Sequence, residues 1–146
     1  MKNIILKSDG INDLQIKNSL EESLSSLNKE LKKILLLPPD FTRFYSQAGK
    51  ITALYYHMLK DTCQVDIMPA IGTHMSMTHE EIEKMYGKEI PKERFIVHDW
   101  RNDIVKIGEV PGSYIEEISE GLLDFSIDVE VNHRLVNSEY DLIISI

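Results

Sequence analysis

Cysteine is almost absent from this chain of 146 residues, which contains only Cys63. One cysteine can form neither an internal disulfide nor a multi-thiolate metal site, so nothing points to an oxidising compartment, and we expect a cytoplasmic protein. No apolar stretch approaches the ~18 residues that a membrane span needs, and the first seven residues are too short for a signal peptide core. We therefore expect no membrane partner.

Basic residues are in the minority, with 16 Lys and Arg against 24 Asp and Glu and a formal net charge of -8. This balance gives no reason to expect binding to nucleic acid. Repeats, low-complexity tracts and linker-like segments are also missing, so we expect residues 1–146 to form a single domain. No Gly-x-Gly-x-x-Gly motif follows any predicted strand, which disfavours a dinucleotide-binding dehydrogenase.

Short apolar runs alternate with segments of helical periodicity. The run at 34–37, stopped by Pro38 and Pro39, predicts a buried strand. A helix over residues 48–59 and a second strand at 65–71 then follow, as in a right-handed crossover between parallel strands. This order predicts an α/β fold with a Rossmann-like, open and mostly parallel sheet, flanking helices, and a less regular β-containing C-terminal part.

The remaining segments complete the predicted fold. A Thr78-x-x-Glu81 capping box predicts a helix that ends at Gly87. Further predicted elements are a helix with leucines on one face within 19–33, and short strands at 95–97, 104–110, 125–131 and 141–146.

Polar clusters follow the first two strands directly. Asp40-Phe41-Thr42-Arg43 comes after the first strand, and Gly72-Thr73-His74 comes after the second. Because ligands of open α/β sheets bind outside the carboxyl ends of the strands, an acid, a guanidinium and an imidazole can converge there. Structural alternatives stay open, because Asp40 and Arg43 could pair with each other or cap the following helix, and His74 also suits a solvated loop.

The other histidines give weaker signals. His98 adjoins Asp99, a combination found at metal and acid/base sites, but neighbours on a strand point to opposite faces, so we favour a structural or cofactor-edge role. His57 and His79 receive no site assignment, and nothing in the sequence requires His133 to approach a cofactor. No His or Cys spacing typical of a metal site is present, so we assign no metal ligand.

Taken in order, several motifs resemble one family. They are Leu37-Pro-Pro-Asp-Phe-Thr-Arg43, Ala70-Ile-Gly-Thr-His74 with Met77-Thr78, Val97-His-Asp-Trp100, Val131-Asn132 and Tyr140-Asp-Leu-Ile143. From about residue 34 to 146 they resemble the amino-terminal domain of the nickel-pincer-nucleotide lactate racemases. The resemblance implies an enzyme that inverts a small 2-hydroxy acid by proton-coupled hydride transfer. The implied cofactor is the nickel-pincer nucleotide, a Ni(II)-pyridinium-3,5-bisthiocarboxylic acid mononucleotide.

The resemblance also implies roles for individual residues. His74 matches an acid/base histidine, Arg43 a substrate-binding arginine, and Asp40 the acidic partner in the same loop, so these three are the predicted catalytic residues. An imidazole suits proton exchange near neutral pH, and a guanidinium suits a carboxylate. The predicted cofactor-binding residues are Thr42, Gly72, Thr73, His98, Asp99 and Asn132.

In the family, the second histidine, the lysine that carries the cofactor and the remaining nickel ligand follow the strand that corresponds to 141–146. We therefore expect this chain to be the N-terminal part of a longer protein, with the missing C-terminal part as its partner, and to be inactive alone. The alternative is a stand-alone, non-catalytic module that binds a small anionic ligand or nucleotide at the strand ends.

Overall fold

The computed structural model describes residues 3–7, 10–137 and 139–146. The chain forms two compact units, which we describe separately. Unit 1 contains the described residues up to Val97 together with Tyr140–Ile146, and unit 2 contains those from His98 to Glu139. Within the described residues, no helix is both long enough and apolar enough to cross a membrane.

The elements follow one another in a mixed α/β order. The helices are α1 (Asp13–Ser25), α2 (Ala48–Leu59), α3 (His79–Tyr86) and α4 (Gly112–Ile118). The strands are β1 (Lys33–Leu37), β2 (Gln64–Ile67), β3 (Ile104–Val110), β4 (Ile127–Asn132) and β5 (Leu142–Ser145). Short 3₁₀ helices occupy Phe41–Ser46, Lys92–Arg94 and His133–Leu135.

A three-stranded parallel sheet forms the centre of unit 1, with the strand order β2-β1-β5. The central strand β1 is covered on both faces, and its residues Ile34, Leu35 and Leu36 are 0% exposed. This burial explains why the strand is a continuous apolar run rather than an alternating one. The expected parallel sheet with flanking helices is thereby confirmed.

Helix α2 has the predicted bounds and packs its aromatic residues Tyr55 and Tyr56 into the core. Helix α3 begins at the predicted capping box, in which Thr78 and Glu81 bond each other's backbone N–H groups, and ends at Gly87. The two helices come close together at Gly49, where an added Cβ would lie 2.1 Å from the carbonyl oxygen of Met85. Only a glycine permits this approach.

Three predicted elements of unit 1 differ from the structure. The first helix spans Asp13–Ser25 instead of lying within 19–33, because a capping box of Asn12 and Gln15 starts it earlier. Strand β2 ends at Ile67, although the Met68 N–H still donates to the Leu36 carbonyl at 2.9 Å. The run at 95–97 makes only an isolated bridge between Ile67 and Phe95 and forms no strand.

Unit 2 is built on an antiparallel pair of β3 and β4. The prediction for β3 is confirmed, whereas β4 begins at Ile127, two residues after the predicted start. A register shift between Lys106 and Gly108 interrupts the ladder. Helix α4, which follows Pro111, was not predicted because seven residues are too few for a clear helical period.

Candidate functional site

The register of β1 and β2 brings the two polar loops of unit 1 to the same edge of the sheet. Leu36 pairs with Ile67, and the pairing continues past both strands to a bridge between Pro39 and Ala70. The Ala70 N–H donates to the Pro38 carbonyl at 2.8 Å. The two loops therefore start side by side. One begins at Asp40, after β1, and the other at Ile71, after β2.

Asp40 ends the first loop's extended segment and caps the 3₁₀ helix Phe41–Ser46. Its Oδ1 accepts a hydrogen bond from the backbone N–H of Thr42 at 3.0 Å and a second, short one from the Thr42 hydroxyl. The Thr42 hydroxyl in turn accepts from Nη1 of Arg43 at 3.2 Å. The capping alternative considered for Asp40 therefore holds, and it leaves Oδ2 available to the second loop.

The second loop turns sharply to present His74. Gly72 has a φ of 57°, a left-handed conformation that favours glycine, and the His74 N–H donates to the Ile71 carbonyl at 2.9 Å. The imidazole Nδ1 lies 2.7 Å from Oδ2 of Asp40. The His74 side chain is 61% exposed, whereas that of Asp40 is 8% exposed. A buried carboxylate thus holds an accessible imidazole.

The electrostatics of Asp40 follow from these contacts. Burial by itself raises the pKa of this carboxyl, but hydrogen bonds from Thr42 and His74 outweigh burial and bring the pKa below its ordinary value. Nearby, burial and the charge of Asp40 raise the pKa of Tyr86, whose hydroxyl donates to the Pro39 carbonyl at 2.9 Å. Asp40 is therefore a carboxylate at neutral pH, next to a Tyr86 that stays protonated.

This arrangement defines what the two side chains can do chemically. A neutral imidazole that donates from Nδ1 to a carboxylate carries its lone pair on Nε2. Within the described residues, no hydrogen-bond partner occupies Nε2 of His74. The pair of Asp40 and His74, which we call the strand-end dyad, is therefore arranged as an oriented general base.

An open pocket of about 410 Å³ adjoins the strand-end dyad. This volume lies in the range of small-molecule sites, about 300–1,000 Å³. Its walls are mixed, with carboxylates, hydroxyls, an imidazole, an aromatic ring and two thioethers. They are formed by Asp40, Phe41, Thr42, His74, Met75, Ser76, Met77, Thr78 and Glu81.

Three predicted site residues of unit 1 are not among the walls of this pocket. They are Arg43, Gly72 and Thr73. Arg43 contacts the pocket indirectly through Thr42, whereas Gly72 and Thr73 shape the turn that carries His74. The sequence had given no site role to the other pocket residues, because apolar and hydroxyl side chains in a loop carry no specific signal and two of them were assigned to a helix cap. They are Phe41, Met75, Ser76 and Met77, and the capping residues Thr78 and Glu81.

The other predicted cofactor residues, His98, Asp99 and Asn132, lie in unit 2. The Asp99 carboxylate accepts from Nδ2 of Asn102 at 2.8 Å and from the Arg101 N–H at 3.0 Å, and these bonds lower its pKa. His98 instead contacts Asn132, with 3.1 Å between Nδ1 and Nδ2. The sequence neighbours thus have separate partners, and their assignment to a cofactor stays a prediction.

The remaining histidines form ion-pair geometries with surface carboxylates. Nε2 of His57 lies 3.4 Å from Glu89, and Nε2 of His79 lies 3.2 Å from Glu83. Nδ1 of His133 lies 3.9 Å from Asp103. Over the residues that the structure describes, no group of three or more His, Cys, Asp or Glu side chains could hold a metal ion.

Comparison with protein families decides the relationship suggested by the motifs. The model of the lactate racemase N-terminal domain matches residues 8–146. The chain belongs to the lactate racemase N-terminal domain family. The match includes both strand-end loops and unit 2, so the family assignment does not depend on one motif.

A solved structure supports the same relationship for this lactate racemase N-terminal domain. The crystal structure of a Thermotoga maritima protein, a structural genomics target, is similar with a TM-score of 0.79 and 30% sequence identity. The similarity covers 97% of this chain and 34% of the Thermotoga chain, so this chain spans about a third of that relative's length. No curated protein matches the chain.

Proposed function

We propose that this domain supplies the first acid/base group and the carboxylate-binding arginine of an enzyme that racemises a small 2-hydroxy acid. The observation that carries the proposal is the strand-end dyad, in which Asp40 holds His74 at 2.7 Å beside an open pocket. Membership of the lactate racemase N-terminal domain family supports the reaction class. The rest of the site would come from a further segment, since the Thermotoga relative is about three times as long.

In the proposed reaction, Nε2 of His74 accepts the proton of the substrate hydroxyl. The resulting imidazolium is stabilised by the Asp40 carboxylate, which is already ionised because its pKa is lowered. To complete an inversion, a second acid/base group from the further segment would return a proton to the oxygen on the opposite face. His74 would donate its proton when the reaction runs in the other direction. An imidazole is suited to this because its ordinary pKa of about 6.5 lies close to neutral pH.

Arg43 is the proposed contact for the substrate carboxylate. A guanidinium can bind a carboxylate through two parallel hydrogen bonds, which would fix the substrate's orientation. Arg43 donates one hydrogen bond to the Thr42 hydroxyl, and the residue is exposed. Its guanidinium therefore has further donors for a ligand.

The side chains of unit 1 fit the organic part of the nickel-pincer nucleotide better than its metal. Hydroxyl, imidazole and guanidinium donors suit carboxylate or phosphate oxygens, and we propose that Thr42, Gly72 and Thr73 contact the cofactor there. The described residues lack a cluster of metal ligands, so nickel would be held by the cofactor and by residues outside this set. The chemistry that the bound group would supply is acceptance and return of hydride at C2 of the substrate.

The test uses the complete protein, purified from its own cells and assayed with enantiopure lactate deuterated at C2. Chiral chromatography with mass spectrometry follows both enantiomers and the deuterium. Formation of the opposite enantiomer with deuterium retained supports hydride transfer, because a mechanism that removes C2–H as a proton would exchange it with water. Loss of deuterium, or no inversion of lactate or a panel of other 2-hydroxy acids, contradicts the proposal.

Variants connect the activity to the strand-end dyad. We expect His74→Gln to lower kcat by about 10²- to 10⁴-fold, the usual contribution of a general acid/base group. His79→Gln is the matched control, because His79 is also an exposed histidine that contacts a carboxylate, that of Glu83. Equal activity of the two variants would remove His74 from the mechanism. An inactive protein that still binds small anions would favour the alternative of a non-catalytic module.

A further inference from the structure

Asn132, the last residue of β4, is 3% exposed. Both its amide oxygen and its amide nitrogen have a hydrogen-bond partner. Its Oδ1 accepts from the Arg134 N–H at 3.0 Å and so caps the 3₁₀ helix His133–Leu135. A backbone N–H can only donate, so the amide atom that faces Arg134 must be the oxygen. The orientation of the Asn132 amide is thereby determined.

The amide nitrogen of Asn132 consequently faces His98. Nδ2 lies 3.1 Å from Nδ1 of the imidazole. An amide nitrogen donates and cannot accept, so Nδ1 of His98 must be the unprotonated acceptor. In the neutral ring, the single proton is then on Nε2.

We propose that Asn132 is a positioning residue that holds His98 in the Nε2–H tautomer. His98 then presents a hydrogen-bond donor to a ligand, and the matching ligand atom is an acceptor oxygen, as in a phosphate or a carboxylate. The side chain is half-buried, and Nε2 has no partner within the described residues, so this donor is available. This inference concerns unit 2 alone and does not depend on the racemase reaction.

His74 and His98 thus carry their ring protons on opposite nitrogens. His74 donates from Nδ1 to a carboxylate, which leaves Nε2 as a base, whereas His98 accepts at Nδ1 and donates from Nε2. Within the described residues, the adjacent Asp99 bonds Arg101 and Asn102 and not His98. Of the two histidines, only His74 is arranged as a general base.

The test is the tautomer of His98, read from long-range proton–nitrogen NMR spectra of the chain labelled with ¹⁵N-histidine. Spectra are recorded about 2 pH units above the ordinary imidazole pKa of ~6.5, where the ring is neutral. We expect His98 to show a protonated-type Nε2 and an unprotonated-type Nδ1. A protonated Nδ1, or the averaged nitrogen shifts of two interconverting tautomers, would overturn the proposal.

Variants then test the role of Asn132. Asn132→Asp replaces the donor with a carboxylate, which can still cap Arg134 with one oxygen, and we expect His98 to shift to the Nδ1–H tautomer. Asn102→Asp is the control, because Asn102 also bonds a neighbouring side chain in unit 2 but does not contact His98. An unchanged His98 tautomer in a folded Asn132→Asp protein would contradict the positioning role. If that variant unfolds, the wild-type chain labelled uniformly with ¹⁵N is tested for a coupling across the hydrogen bond between Asn132 Nδ2 and His98 Nδ1. Absence of this coupling would overturn the positioning role.

Discussion

Nδ1 of His74 lies 2.7 Å from Oδ2 of Asp40, although 34 residues separate the two in sequence. The contact arises because β1 and β2 are parallel neighbours that end at the same edge of the sheet. The histidine is largely exposed and the aspartate is largely buried. The fold thus supplies a fixed carboxylate and lets the imidazole reach a ligand.

The first prediction concerns the hydrogen bonds that hold Asp40. Thr42→Val removes the hydroxyl that donates to Oδ1, and its loss should raise the pKa of Asp40 because fewer hydrogen bonds then oppose the effect of burial. Carboxyl ¹³C NMR titration measures the change. Thr42→Ser keeps the hydroxyl and serves as the control, with a pKa close to wild type. A wild-type pKa in the valine variant would show that the hydroxyl bond contributes nothing.

The second prediction follows from the sign of the Asp40 shift. A folded-state pKa below the ordinary value of 3.8 means that the ionised carboxylate stabilises the fold above pH 3.8. This stabilisation is lost as the pH falls through the folded-state pKa. We therefore expect the free-energy difference between wild type and Asp40→Asn to shrink as the pH falls from 3.8 into strong acid.

Urea denaturation of both proteins across the acid range measures this difference. Asp61→Asn provides a comparison, since Asp61 is an exposed aspartate. A difference between wild type and Asp40→Asn that grows as the pH falls below 3.8 would have the opposite sign and would refute the linkage.

The third prediction concerns the close approach of α2 and α3. In Gly49→Ala, the new Cβ would lie 2.1 Å from the Met85 carbonyl oxygen, so the helices must move apart. Overpacking of this kind costs about 1–3 kcal/mol, and we expect a loss of unfolding free energy in that range. Thermal or urea denaturation measures it. Gly10→Ala is the control, because nothing lies within 4 Å of its added Cβ. Equal stability of the two variants would contradict the packing argument.

The fourth prediction tests the start of α3. Thr78→Ala removes the side-chain oxygen that accepts from the Glu81 N–H at 3.3 Å, and this should destabilise the fold by about 1 kcal/mol. Thr78→Ser retains the oxygen and should stay within a few tenths of a kcal/mol of wild type. Because Thr78 also borders the pocket, ligand affinity and stability are measured separately. A larger loss in the serine variant than in the alanine variant would exclude the cap as the cause.

Local patterns predicted much of unit 1 because its elements depend on short-range features. The apolar run of β1 reflects burial on both faces, and the bounds of α3 follow from a capping box and a glycine. The first helix was misplaced because the leucine spacing continued past its end, whereas the Asn12 capping box set its true start. The run at 95–97 was wrong as a strand, since a buried apolar run can make a single bridge without extending a sheet.

The sequence by itself determined which chemical groups stand at the strand ends, because proline and glycine stop the strands and polar residues follow directly. It also carried the motifs that relate the chain to its family. Only the tertiary structure decided which groups meet. Parallel register joins Asp40 to His74, and the fold of unit 2 places Asn132, at the end of β4, against His98. Hydrogen-bond direction depends on those partners, so whether each imidazole is a base or a donor is a property of the fold and not of the local sequence.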